Sequence, residues 1–111
     1  MESRPTESRQ AENRWYATIR DLASRTLGPG PVNVYLFGSR AVGTARPASD
    51  IDVAVESSGR LATGALPRFR EALEESSIPV RVDVVDLDEA GPTFRERVMK
   101  EGIRWTVSKS A

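Results

Sequence analysis

Two carboxylates one residue apart, Asp50 and Asp52, follow a Gly38-Ser39 pair after a spacer of ten residues. The full run is Phe37-Gly38-Ser39-Arg40-Ala41-Val42-Gly43-Thr44-Ala45-Arg46-Pro47-Ala48-Ser49-Asp50-Ile51-Asp52-Val53-Ala54-Val55. Apolar stretches flank it, Val34 to Phe37 on one side and Ile51 to Val55 on the other. Side chains at i and i+2 of a strand share a face, so Asp50 and Asp52 aim at one point with Cα atoms about 6.5 Å apart. Hard oxygen donors so placed suit Mg²⁺, which is commonly held by one or two carboxylates together with substrate phosphates. A Gly-Ser turn offers small residues and backbone N–H groups to those phosphates. The chemistry such parts serve is phosphoryl transfer.

A third carboxylate belongs to the same set. In the run Val80-Arg81-Val82-Asp83-Val84, the valines alternate with polar residues and leave Arg81 and Asp83 on the opposite face. Asp86 shares the apolar face or lies past the strand end, and Asp88 and Glu89 read as a helix-capping region. Two unit charges about 6 Å apart repel by about 3 kcal/mol at an effective dielectric of about 20. Structure alone would not favour three of them converging. Two divalent cations about 3.5–4 Å apart would neutralise the cluster and hold both reacting oxygens. A lone Asp-x-Asp at a strand start is ordinary turn chemistry, and so is a lone Gly-Ser. The ordered combination of strand, Gly-Ser, spacer, Asp-x-Asp and strand is what carries the reading. Arg40 is open between a phosphate contact and a solvated arginine at a helix start. Ser49 caps or bonds Asp50 and has no catalytic role.

Other motifs fail on chemistry. Gly38 and Gly43 have the separation of a P-loop, but Thr44 stands where the phosphate-binding lysine is needed. Ser39 lacks a nucleophile-elbow context. The chain has no histidine and no cysteine, which excludes His-based bases, Ser-His-Asp triads, thiol nucleophiles and zinc fingers.

The elements that must position these groups follow from periodicity. Residues 1 to 10 read as a flexible tail, and residues 11–107 as one domain. Ala11 to Leu27 has helical spacing at Trp15, Ile19, Leu22 and Thr26, and Gly28-Pro29-Gly30-Pro31 stops it. Both tryptophans, Trp15 and Trp105, read as packing residues. Val32 to Phe37 is a strand, Ser39 to Val42 a short helix, Gly43 to Ser49 a polar loop, and Ile51 to Val55 a second strand. Ser57 to Gly64 is a loop. Leu66 to Ser76 is a helix with Pro67 in its first turn. Pro79 to Asp86 is a third strand. Pro92 to Glu101 is a helix with Phe94 and Val98 inward and Gly102 at its end. Ile103 to Val107 is a short fourth strand. The fold class is α/β (α+β): a small mixed sheet, helices on one face, the carboxylates on the other.

Bulk properties set bounds. A chain of 111 residues, 39% hydrophobic and 29% charged, is the size and make-up of one globular domain. Sixteen basic and sixteen acidic residues cancel, so there is no cationic footprint for direct nucleic-acid binding. No apolar run has membrane-spanning length, and Met1 to Gln10 has no secretory apolar core. A cytoplasmic protein is the expectation.

The run Gly38-Ser39-Arg40-Ala41-x-Gly43 with Ser49-Asp50-Ile51-Asp52 resembles the nucleotidyltransferase superfamily of the DNA polymerase β type, and more narrowly the minimal nucleotidyltransferases. Val80 to Leu87 and the helix through Gly102 resemble the C-terminal half of that group. The resemblance covers roughly residues 11 to 107. It implies Mg²⁺, two ions, and ATP as substrate. It implies that Asp50 and Asp52 bind metal, that Asp83 is the third carboxylate and helps activate the attacking hydroxyl, and that Gly38, Ser39 and Arg40 meet the nucleotide. It further implies a helical HEPN-domain partner in a toxin–antitoxin module, a hetero-oligomer, and transfer of AMP to a tyrosine of that partner. Two other readings stay open: a nucleotide-binding inhibitor that acts by contact, and a small-molecule nucleotidyltransferase completed by a separate substrate-binding subunit.

Overall fold

The computed structural model describes residues 6–28, 30–57 and 61–107. Among these residues four helices and four strands alternate: α1 (Thr6–Thr26), β1 (Val32–Phe37), α2 (Ser39–Val42), β2 (Ile51–Glu56), α3 (Ala65–Glu74), β3 (Val82–Asp86), α4 (Pro92–Glu101) and β4 (Ile103–Val107). α1 starts five residues before the expected Ala11, so residues 6–10 of the expected tail are helical; residues 1–5 lie outside the described residues. So do residues 58–60 of the expected Ser57–Gly64 loop.

The strands form one mixed sheet in the order β3-β2-β1-β4. β1 lies antiparallel to both β2 and β4. β2 and β3 are parallel, as a helical crossover through α3 requires. Alternation assigns the faces. Val32, Val34 and Leu36 of β1, Ile51, Val53 and Val55 of β2, and Val107 of β4 are buried against Ile19 and Ala23 of α1, Leu27 just after it, and Ala65, Phe69 and Leu73 of α3. Each of the larger side chains here contributes about 1.5–3 kcal/mol by leaving water. β3 is an edge strand, and Arg70 of α3 blunts it by donating from Nη2 to the Val84 carbonyl at 2.9 Å. Among the described residues no helix is long and apolar enough to cross a membrane.

One expectation about the layers needs correction. α1 and α3 lie on one face as expected, but α4 packs on the other, the carboxylate face. A second core forms there from Tyr35, Ala54, Leu87 and Val98, joined by Phe37, Val85 and Phe94. Phe37 and Phe94 meet edge to face at 5.3 Å. The physical reason is that this face is polar only at its ends: Tyr35, Phe37, Ala54 and Val85 make its middle apolar, and that surface must be covered. Gly102 ends α4 for a steric reason. A Cβ there would lie 2.6 Å from the Val98 carbonyl oxygen and 3.2 Å from that of Leu36, so the chain turns into β4 against β1 only without a side chain.

Candidate active site

Strand register builds the site. Asp52 on β2 stands directly beside Asp83 on β3 in the parallel ladder, and opposite Phe37 in the antiparallel one. Asp50 precedes β2 by one residue and is exposed. The Gly38 turn lies against Asp52: a Cβ at Gly38 would fall 2.5 Å from Asp52 Oδ2. Gly38 also has φ of 74°, a left-handed conformation that a side chain would strain. Both facts require glycine here, and together they place a side-chain-free turn beside a carboxylate. From that turn α2 begins at Ser39, with Ala41 and Val42 donating their N–H groups to the Gly38 carbonyl at 3.0 and 3.2 Å.

The electrostatics follow from this crowding. Burial pushes the Asp52 carboxyl above the usual aspartate range, and the charges of Asp83 and then Asp50 push it the same way; Arg40 opposes them. Asp83 also meets Arg81, whose Nη2 lies 2.9 Å from its Oδ1 in an exposed ion pair. The two are i and i+2 neighbours on one strand face, which is the signal in the sequence that could have flagged Arg81 as the local counter-ion. Among the described residues no group of three acidic side chains already stands at the spacing of a formed metal cage. That is compatible with Mg²⁺, which prefers one or two carboxylates completed by substrate phosphates and water to an all-protein cage. The donor set fits a hard cation: oxygen ligands only, adjacent, and mutually repelling.

Arg40 is where the structure departs most from the expected site. It was expected to meet the nucleotide, yet its side chain is 1% exposed and faces inward. Nη1 donates to Glu12 Oε2 on α1 at 2.6 Å. Nε and Nη2 donate to the Ser49 carbonyl at 3.2 and 2.6 Å, and Nη2 also reaches the carbonyls of Pro47 and Arg46 at 3.1 and 3.4 Å. A guanidinium buried and engaged by four residues in this way faces the protein interior and not an incoming phosphate. Asp88 is likewise not a helix cap. The first turn of α4 follows Gly91 with no side-chain cap, while Asp88 accepts from the Ser57 N–H at 3.2 Å and from its hydroxyl. Ser49 was expected to cap or bond Asp50; its Oγ instead accepts the Arg46 N–H at 2.8 Å, closing the turn of the spacer.

Two openings lie near the site, one walled in part by Asp83 and the other by Gly38. One of about 360 Å³ runs beside β3, with Arg70, Ile78, Arg81 and Asp83 among its walls. A smaller one of about 100 Å³ lies between Gly38 and α4, walled by Phe37, Phe94, Arg97 and Glu101.

Comparison with known proteins agrees with this geometry. Residues 18–108 match the family model described as polymerase beta, nucleotidyltransferase. A protein of Haemophilus influenzae named as a probable protein adenylyltransferase, MntA, is 42% identical over 67 residues, which are 60% of this chain and 59% of that protein. The chain thus spans under two thirds of that relative's length. A solved structure attributed to a minimal nucleotidyltransferase is 34% identical, with a TM-score of 0.66 over 86% of this chain and 93% of the other. A toxin–antitoxin structure containing AMP-PNP is 31% identical, with a TM-score of 0.66 over 80% of this chain and 71% of the other. The mixed four-stranded sheet, the Gly38 turn packed on Asp52 and the match over most of the chain place this protein in the polymerase β-type nucleotidyltransferase family.

Proposed function

We propose that this chain transfers AMP from ATP to a hydroxyl of a partner protein, and that it acts as the antitoxin of a toxin–antitoxin pair. The observation that carries the reading is the Asp52–Asp83 register pair seated against the side-chain-free Gly38 turn, with Asp50 close enough to raise the Asp52 carboxyl further. The named activity of the Haemophilus relative and the AMP-PNP-bound toxin–antitoxin neighbour support the nucleotide and the kind of partner.

Asp50, Asp52 and Asp83 are the residues that would hold Mg²⁺, which when bound supplies charge stabilisation at the reacting phosphate. Gly38 leaves the phosphate side of the turn open and lets Asp52 sit against it. Asp83, beside Asp52 in the parallel ladder, is the carboxylate we assign to accept the proton of an incoming hydroxyl. Among the described residues no further strand of the sheet bounds that side, since β3 is its edge. A hydroxyl carried on a partner's surface reaches it without needing a deep pocket. We assign that hydroxyl to a tyrosine of a helical HEPN-domain toxin.

Co-expression with the partner followed by intact-mass and peptide mass spectrometry tests this. One AMP increment per event on a tyrosine of the partner is expected, and none with Asp50→Asn and Asp52→Asn together. An unmodified partner beside turnover of a small alcohol would replace the protein acceptor with a small-molecule one. Unmodified partner that is still neutralised would favour inhibition by contact.

A further inference from the structure

We propose that Arg40 is a positioning residue that clamps the ten-residue spacer and thereby sets the Asp50-x-Asp52 pair in register with the Gly38 turn; this rests on the nucleotidyltransferase reading above. The two halves of the site are joined by residues 40–49 and by strand pairing that begins only at Ile51 and Asp52. Asp50 lies before that pairing and needs another restraint. Arg40 follows the phosphate turn by one residue, and its guanidinium holds the carbonyls of Arg46, Pro47 and Ser49, the last of which is bonded directly to the Asp50 amide. It therefore grips both halves at once.

The clamp is locked from behind. Glu12 of α1 pairs with Nη1 at 2.6 Å, with side-chain exposures of 1% for Arg40 and 7% for Glu12. Tyr16 donates its hydroxyl to the same Glu12 Oε2 at 3.2 Å, and the Trp15 ring lies 5.5 Å from the guanidinium carbon. A buried ion pair is weak evidence for stability, because well-packed apolar residues of similar volume serve as well. What an apolar substitute could not do is donate to three carbonyls at once. The five-donor fork of arginine spans them in a fixed geometry, and lysine's single ammonium does not. Arg40 also opposes, as the one cation among the causes, the burial and the Asp83 and Asp50 charges that raise the Asp52 carboxyl. The helix that carries Glu12 and Trp15 thus becomes part of the site's support although it contributes no group to it.

Arg40→Lys keeps the charge and removes the fork. The test compares it with wild type and with Phe69→Leu, a core change under α3 that serves as a thermal-stability control away from the site. Two readouts are taken: amide hydrogen exchange of residues 44–52, and calorimetric affinity for Mg²⁺ with a non-hydrolysable ATP analogue. In Arg40→Lys, exchange in this segment and the dissociation constant should each rise by about tenfold to a hundredfold, the scale on which small misplacements act at a site. Phe69→Leu should change neither by more than its global stability loss accounts for. Should Arg40→Lys fail to fold, Glu12→Gln, which removes the anchoring charge and leaves the fork, should show the same two changes at smaller size. Exchange in 44–52 no faster than in Phe69→Leu would overturn the clamp. Faster exchange with unchanged affinity would overturn its positioning role. Wild type that binds no Mg²⁺–nucleotide would overturn the reading of the site itself, and the exchange data would still judge the clamp.

Discussion

Asp52 and Glu56 stand four residues apart on β2, on one face of the sheet, and their carboxyls are driven in opposite directions. Asp52 is pushed up by burial and by Asp83 and Asp50. Glu56 is held down, first by the hydrogen bond from Asn33, then, against some burial, by Arg95 and Tyr35. Its Oε1 accepts from Asn33 Nδ2 at 3.1 Å and from the Tyr35 hydroxyl at 3.2 Å, while Arg95 of α4 pairs with Oε2 and lies 3.7 Å from Asp88. One end of the face satisfies its charge from three residues. The other gathers like charges and leaves them to an exposed arginine. The apolar band of Tyr35, Ala54, Phe37 and Val85 under α4 separates the two. The lesson is that the distal end holds the structure together, while the Asp52 end stores unrelieved repulsion that a cation and phosphates would discharge.

The comparison can be broken at either end. The largest effect is expected from Asp83→Asn, which should cut AMP transfer by about 10²-fold or more, the scale of a lost general base, while nucleotide affinity changes little. Single-turnover transfer beside calorimetry reads both, and full activity in this variant would remove Asp83 from the chemistry. Glu56→Ala should act the other way round, costing about 2 kcal/mol of stability because Arg95, Tyr35 and Asn33 lose a shared partner, with transfer per folded molecule kept. Its sign with pH is fixed by the lowered carboxyl. That stabilisation is present above the ordinary glutamate value and is lost as pH falls through the value in the folded protein, so the variant's deficit should shrink in acid. A denaturation series from neutral to acid pH checks it, and a deficit that stays constant would contradict the assignment.

Much of this was legible in the sequence, and the limits have physical causes. Strand parity alone put Asp52 and Asp83 on one face, because a period of two leaves no choice once the valines are buried, whereas Asp50 precedes the paired strand. The same parity put Tyr35, Phe37, Ala54 and Val85 on that face, and these were the sign that a helix must cover it. The stripe of Phe94 and Val98 showed that α4 is buried, but a stripe does not say against which face. Arg40 was out of reach. A helix of four residues has too few positions for a period, and its partner Glu12 is 28 residues away. Asp88 was read from local capping chemistry, whereas its partner Ser57 is 31 residues distant in the chain.

The repelling carboxylates at the Asp52 end should take up a metal-bound nucleotide. Thermal unfolding with and without Mg²⁺ and a non-hydrolysable ATP analogue measures it most directly, since a ligand that binds only the folded state raises the melting temperature. Wild type should gain several degrees. Asp50→Asn with Asp52→Asn should gain nothing, and without ligand it should melt no lower than wild type, because the substitutions relieve repulsion instead of breaking pairs. Equal ligand-induced gains in the two proteins would contradict the account.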